Sequence, residues 1–159
     1  MHNNFSTSLI VLLLLFLILT TNACGQNKQV EPQANRKQST QKNKKYLYYL
    51  HGRIVEDLGA DNAVSERFGK YEYKEILKTF KEKGFEVISE ARPRNTDVED
   101  YSNELTKDIK AQIKNGISPD NITVVGASKG SLIAMLTSTK LANKNVKFVI
   151  LANCIMFWK

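Results

Sequence analysis

Along this chain the spacing of apolar residues changes several times, and each change marks an element. Leu9 to Leu19 is an unbroken apolar run, and positions 25 to 45 are rich in Gln, Asn and Lys with one aliphatic residue, Val30. From Tyr46 onward the pattern is that of a folded domain. Tyr46 to Leu50 (YLYYL) suits a buried strand ended by His51-Gly52-Arg53. Tyr73, Ile76, Leu77 and Phe80 fall at i, i+3, i+4 and i+7 and predict a helix that closes at Gly84. Phe85 to Ser89 is the next strand, followed by the loop Glu90-Ala91-Arg92-Pro93-Arg94-Asn95. Thr96-x-x-Glu99 reads as a capping box, opening a helix whose Val98, Tyr101, Leu105, Ile109 and Ile113 share a face and which stops at Asn115-Gly116. Ile122 to Val125 is a short apolar strand, Ser131 to Leu141 a helix, and Val146 to Ala152 a further strand. Strictly alternating strands and helices predict an α/β fold, with right-handed crossovers and a parallel sheet covered by helices on both faces.

Composition narrows the function classes. A chain of 159 residues with 42% apolar residues has room for one globular domain. Five of its seven net positive charges lie in the first 45 residues, so the basic character belongs to the N-terminal segment rather than to the domain. A nucleic-acid binder concentrates basic residues on a folded face, and nothing after position 45 shows such a cluster, which sets nucleic acid aside. Two cysteines, Cys24 and Cys154, cannot build a disulfide scaffold, and with two histidines they supply too few ligands for a Cys/His zinc site. Neither a metal nor a cofactor is expected, and oligomeric state is left open.

The N-terminal run is too short for a helix of about 20 residues that would span a bilayer, but it suits the apolar core of an export signal. The segment before it, Met1 to Ser8, lacks the usual Lys or Arg. Thr20-Thr21-Asn22-Ala23-Cys24 resembles the lipobox of bacterial lipoproteins, with Thr21 where Leu is usual and Asn22 where a small residue is usual. That resemblance implies a signal peptide over 1–23 and a lipid on Cys24 that anchors an exported protein to a membrane, periplasmic or at the cell surface. The rival is cleavage at the small-residue pattern Thr21-x-Ala23, which releases a soluble exported protein. Residues 24–45 are then a disordered basic linker, too poor in apolar residues to offset the entropy of ordering, and 46–159 the domain. Ser39-Thr40-Gln41-Lys42 matches the S-x-x-K pattern of penicillin-binding enzymes, but it sits in this linker rather than opening a helix and is discarded.

Between the Ile122 strand and the Ser131 helix stands Gly126-Ala127-Ser128-Lys129-Gly130, a G-x-S-x-G. The letters alone carry little weight, since chance supplies them in roughly one chain in twenty. Their place does carry weight: a nucleophile elbow is a sharp strand-to-helix turn whose glycines avoid collisions around a strained serine. The plainer reading is a tight glycine turn in a Rossmann-like sheet. Phosphate loops fit badly, because neither G-x-x-x-x-G-K-[ST] nor G-x-G-x-x-G is present.

Leu50-His51-Gly52-Arg53, Glu90 to Val98 and Ile122 to Gly130 together resemble the α/β-hydrolase superfamily, especially a group of compact bacterial serine hydrolases, over Tyr46 to Cys154. The resemblance implies Ser128 as nucleophile, the backbone N–H groups of Lys129 and Arg53 as oxyanion donors with their side chains free to differ, and Gly52, Gly126 and Gly130 as structural residues of the site. It also implies that His51 shapes the oxyanion loop rather than acting as general base. The departure is large: this fold presents its triad in the order nucleophile, acid, histidine, and no His, Asp or Glu follows Ser128. The expectation is therefore a C-terminally incomplete hydrolase domain, by lineage a serine hydrolase for a small carboxylic ester or related acyl substrate and inactive as this chain. The alternative is a non-catalytic surface lipoprotein that binds a ligand or partner. Arg92, Arg94 and Lys129 stand near the expected mouth, where they would either favour an anionic substrate or, as the plainer reading, be solvated loop charges.

Overall fold

The computed structural model describes residues 43–151. The expected signal peptide, Cys24 and most of the linker fall outside the described residues, as does the segment after Leu151.

Six strands and four helices follow in the order β1 (Lys45–Leu50), α1 (Arg53–Leu58), β2 (Val64–Ser65), β3 (Gly69–Lys70), α2 (Tyr73–Glu82), β4 (Phe85–Ile88), α3 (Val98–Lys114), β5 (Ile122–Ala127), α4 (Lys129–Leu141) and β6 (Lys147–Leu151). The main sheet has the order β4-β1-β5-β6 and every pairing in it is parallel, with Tyr46 opposite both Glu86 and Ile122 and Val125 opposite Val149. β2 and β3 form a separate two-stranded antiparallel hairpin.

Alternation along β1 feeds two cores. Tyr46, Tyr48 and Leu50 point to the face covered by α3 and α4, where they meet Leu105, Ile109, Ile133 and Ala134. Leu47 and Tyr49 point to the opposite face and pack with Val55 of α1 and with Tyr73, Ile76, Leu77 and Phe80 of α2. A central parallel strand must be apolar on both faces, and this is why YLYYL shows no polar alternation. The sheet is thus α/β with helices on both sides, as the strand and helix alternation predicts. β6 is the edge strand among the described residues, and its Val149, Ile150 and Leu151 are exposed.

Several details differ from expectation: α1 and the β2–β3 hairpin are not among the predicted elements, β5 runs on to Ala127, and α4 opens at Lys129 rather than Ser131. β1 starts at Lys45, one residue inside the expected linker. The cap of α3 is Asp97 rather than Thr96: the Asp97 carboxylate accepts from the N–H groups of Glu99 and Asp100, while the Thr96 hydroxyl turns back to the Pro93 carbonyl. An anionic oxygen at the helix start also complements its dipole, which favours Asp97 over the neutral hydroxyl beside it. Asp97→Ala is expected to lower stability by about 1 kcal/mol, seen as a lower urea midpoint with unchanged m.

Candidate functional site

In a doubly wound sheet the loops leaving adjacent strands diverge at one place, and ligands bind in the crevice this creates at the strands' carboxyl ends. Here β1 leads outward to β4 and the adjacent β5 leads the other way to β6, so the divergence lies between the ends of β1 and β5. His51-Gly52-Arg53 leaves the first strand at that point and Ser128-Lys129 leaves the second. The topology therefore brings together the two segments that the sequence separates by 76 positions.

Ser128 adopts φ 52° and ψ −118°, one of three non-glycine residues with positive φ among those described. Such a backbone costs of order 1–3 kcal/mol and persists only where the surroundings enforce it. They do so here. The Ser128 N–H donates to the Leu151 carbonyl at 3.0 Å, and its carbonyl accepts from the Ser131 N–H at 2.8 Å. The Ser131 hydroxyl lies 2.8 Å from the Gly126 carbonyl and 2.7 Å from that of Leu151, so it ties the end of β5 to β6 beneath the turn.

The glycines are demanded by close approach. A Cβ on Gly126 would stand 2.4 Å from the Gly130 carbonyl oxygen, and one on Gly130 would stand 2.0 Å from the carbonyl oxygen of Leu50. The α4 N-terminus is thereby pressed against both β5 and the end of β1. Gly52 lies on the serine itself, since a Cβ there would be 3.3 Å from the Ser128 Cβ and 3.8 Å from its Oγ. Arg53 and Lys129 open α1 and α4, and a first helical residue has no intrahelical partner for its N–H.

His51 is completely buried, and both ring nitrogens are engaged. The backbone N–H of Arg92 points at Nε2 at 2.9 Å, which must therefore accept, leaving Nδ1 to carry the proton and donate to the Gly52 carbonyl at 2.9 Å. Burial, with the Arg92 guanidinium alongside, pushes the ring below the usual histidine range. It is a neutral strut with no nitrogen left to take a proton from a hydroxyl. The sign of its pH effect follows: the unfolded chain gains a proton near pH 6.5 that the folded chain resists, so this contribution is flat above that pH and stability falls below it. The urea midpoint is expected to drop between pH 7.5 and 5.5, with a slope of up to about 1.4 kcal/mol per pH unit, and to drop less in His51→Gln.

Arg92 corrects the reading of a solvated loop charge. Its side chain is 0% exposed, and Nε donates to Glu56 Oε1 at 2.9 Å while one terminal nitrogen donates to the His51 carbonyl. Its guanidinium carbon lies 5.3 Å from the Tyr101 ring centre, and Nη1 has no hydrogen-bond partner. The Lys129 side chain is likewise engaged rather than solvated: at 17% exposure, its Nζ donates to Glu56 Oε2 at 2.5 Å and to the Thr96 carbonyl at 2.6 Å. Arg53 and Arg94 remain solvated, both paired with Asp57. Glu56, 1% exposed, was invisible to motif reasoning, because a buried carboxylate on a six-residue helix carries no spacing signal.

A cavity of about 350 Å³ lies beside this crevice, between α3 and the ends of β1 and β4, lined by Tyr48, Leu50, Glu90, Tyr101, Leu105 and Asp108 among others. Ser128 is not part of its wall, although Leu50 is, and the Leu50 carbonyl abuts Gly130. Asp108 accepts from the Tyr48 hydroxyl at 2.7 Å, and Glu90 from the Tyr101 hydroxyl at 3.0 Å. Burial, reinforced by those bonds, pushes both phenols far above their ordinary range, so they stay protonated as donors. Among the described residues no group of three or more His, Cys, Asp or Glu side chains is placed to hold a metal ion, and no helix is long and apolar enough to cross a membrane. Comparison of the chain with protein-family models, with curated proteins and with solved structures finds no match.

Proposed function

We propose that the domain is built as an α/β-hydrolase-type acyl-transfer scaffold in which Ser128 is the nucleophile. The observation that carries this reading is the strained backbone of Ser128 at the strand-to-helix turn, with Gly52 packed on its Cβ and Oγ. A serine held this way presents its hydroxyl to the crevice, and the N–H groups of Arg53 and Lys129 are the donors for a developing oxyanion. The substrate class is a small carboxylic ester or related acyl compound. The Ser128 Oγ would attack the carbonyl carbon and lose its proton to a base, the alcohol would leave, and water would release the acid. The base is the missing part: no His, Asp or Glu follows Ser128, and His51 is locked. With no base assigned within these 159 residues, the chain by itself is close to inert on this reading.

The test is covalent. A fluorophosphonate probe bonds its phosphorus to the serine oxygen, expelling fluoride while the hydroxyl proton passes to solvent base. Mass spectrometry is expected to place the adduct on Ser128, and an adduct that persists in Ser128→Ala contradicts the assignment. The same absence of acid and base favours a second reading, in which the scaffold binds a ligand without turning it over; a crevice that never labels supports it.

Export and anchoring belong to the same proposal, with Cys24 as the lipidated residue and residues 25–44 as the tether from a bacterial membrane. In cells given labelled palmitate, label is expected on the wild-type chain and not on Cys24→Ser. Label that persists in the variant excludes Cys24 as the lipidated residue, and label that never appears supports the soluble exported form.

A further inference from the structure

Among the described residues Glu56 is the one carboxylate shared by two buried or largely buried cations, and those three residues come from α1, the loop after β4 and the start of α4. Glu56 lies in the first turns of α1, the helix that Arg53 opens. Lys129 opens α4, immediately after Ser128. Arg92 lies in the loop after β4, where its backbone N–H fixes His51 and its side chain holds the His51 carbonyl. One carboxylate against two cations leaves a net positive charge in a nearly dry place. Exchanging such groups for apolar ones of similar size is often neutral or stabilising, so fold stability by itself does not explain the arrangement. What it does determine is distance. The Glu56–Lys129 bridge of 2.5 Å runs from the helix that carries one proposed oxyanion donor to the residue that carries the other. The Glu56–Arg92 bridge of 2.9 Å braces the same carboxylate from behind and cannot swing, since the Arg92 side chain has no exposure.

We infer that Glu56 is a positioning residue of the Ser128 site, setting the separation of the Arg53 and Lys129 N–H groups through its bridge to the Lys129 side chain. This rests on the proposed role of Ser128. Glu56 touches no reacting atom. Its effect is on the bond-forming step, where donors displaced by a fraction of an ångström lose the oxyanion while substrate still enters the crevice.

The experiment measures fluorophosphonate labelling of the full chain at pH 9 with added imidazole, at 10 °C, on variants first checked for folding by circular dichroism. The rate is separated into the binding constant and the limiting rate of bond formation. Glu56→Gln is expected to lower the limiting rate roughly 10- to 100-fold with binding changed less than about twofold. Lys129→Met, which leaves Arg92 paired with Glu56, keeps the test open if Glu56→Gln does not fold, and is expected to lower the limiting rate to a similar degree. The double variant is expected to be no slower than the worse single variant, because both break one bridge. Losses that multiply, or a limiting rate unchanged in Lys129→Met, overturn the inference while leaving Ser128 as the nucleophile. A wild-type chain that never labels at Ser128 overturns both.

Discussion

Gly130→Ala is expected to leave the domain unfolded or destabilised by about 3 kcal/mol or more, because the added methyl would sit 2.0 Å from the Leu50 carbonyl oxygen and 2.8 Å from that of His51. The obstructing atoms are backbone at the carboxyl end of β1, where Leu50 pairs with Gly126 of β5, and they cannot step aside without disturbing that pairing. Gly126→Ala meets the Gly130 backbone at 2.4 Å and is expected to behave alike. Gly84 and Gly116 are the internal comparison. Both have positive φ but nothing within 4 Å of an added Cβ, so alanine there carries backbone strain alone, about 1 kcal/mol. Urea titration of the four variants separates the two causes. A Gly130→Ala domain as stable as Gly84→Ala would mean that α4 does not press on β1 as described.

The same contacts explain which parts of the molecule sequence reasoning reaches. Periodicity exposes α2, because Tyr73, Ile76, Leu77 and Phe80 all face one apolar cluster, and it exposes β1, whose every residue after Lys45 is buried. The strand-to-helix turn at Ser128 is legible because its glycines are required by geometry and adjacent in the chain. α1 is not, since its six residues span less than two turns, so the period never repeats. The β2–β3 hairpin has two residues per strand and leaves no alternation to read. The Glu56–Arg92–Lys129 cluster is the largest omission. Its members are 36 and 37 positions apart, each looks like an ordinary surface charge, and only the fold reveals that water has been removed from around them. Asp97 in place of Thr96 at the α3 cap is a smaller case, in which two neighbours both qualify chemically and backbone direction decides.

If Ser128 is the nucleophile as proposed, this 159-residue polypeptide is expected to turn over esters at neutral pH roughly 10⁶-fold more slowly than a complete triad would, since the lack of a base costs that much and the proposed oxyanion donors recover only part of it. A serine that acts without a protein base leaves a distinctive rate law, because its hydroxyl must lose its proton to whatever the solvent provides. The most direct measurement is therefore the pH dependence of fluorophosphonate labelling at Ser128, with and without added imidazole. The rate is predicted to rise roughly tenfold per pH unit from 7 to 9 without a plateau, to increase in proportion to free imidazole, and to vanish in Ser128→Ala. A plateau above pH 7 that disappears in a folded His51→Ala variant would contradict this, showing that the buried imidazole serves as the base after all.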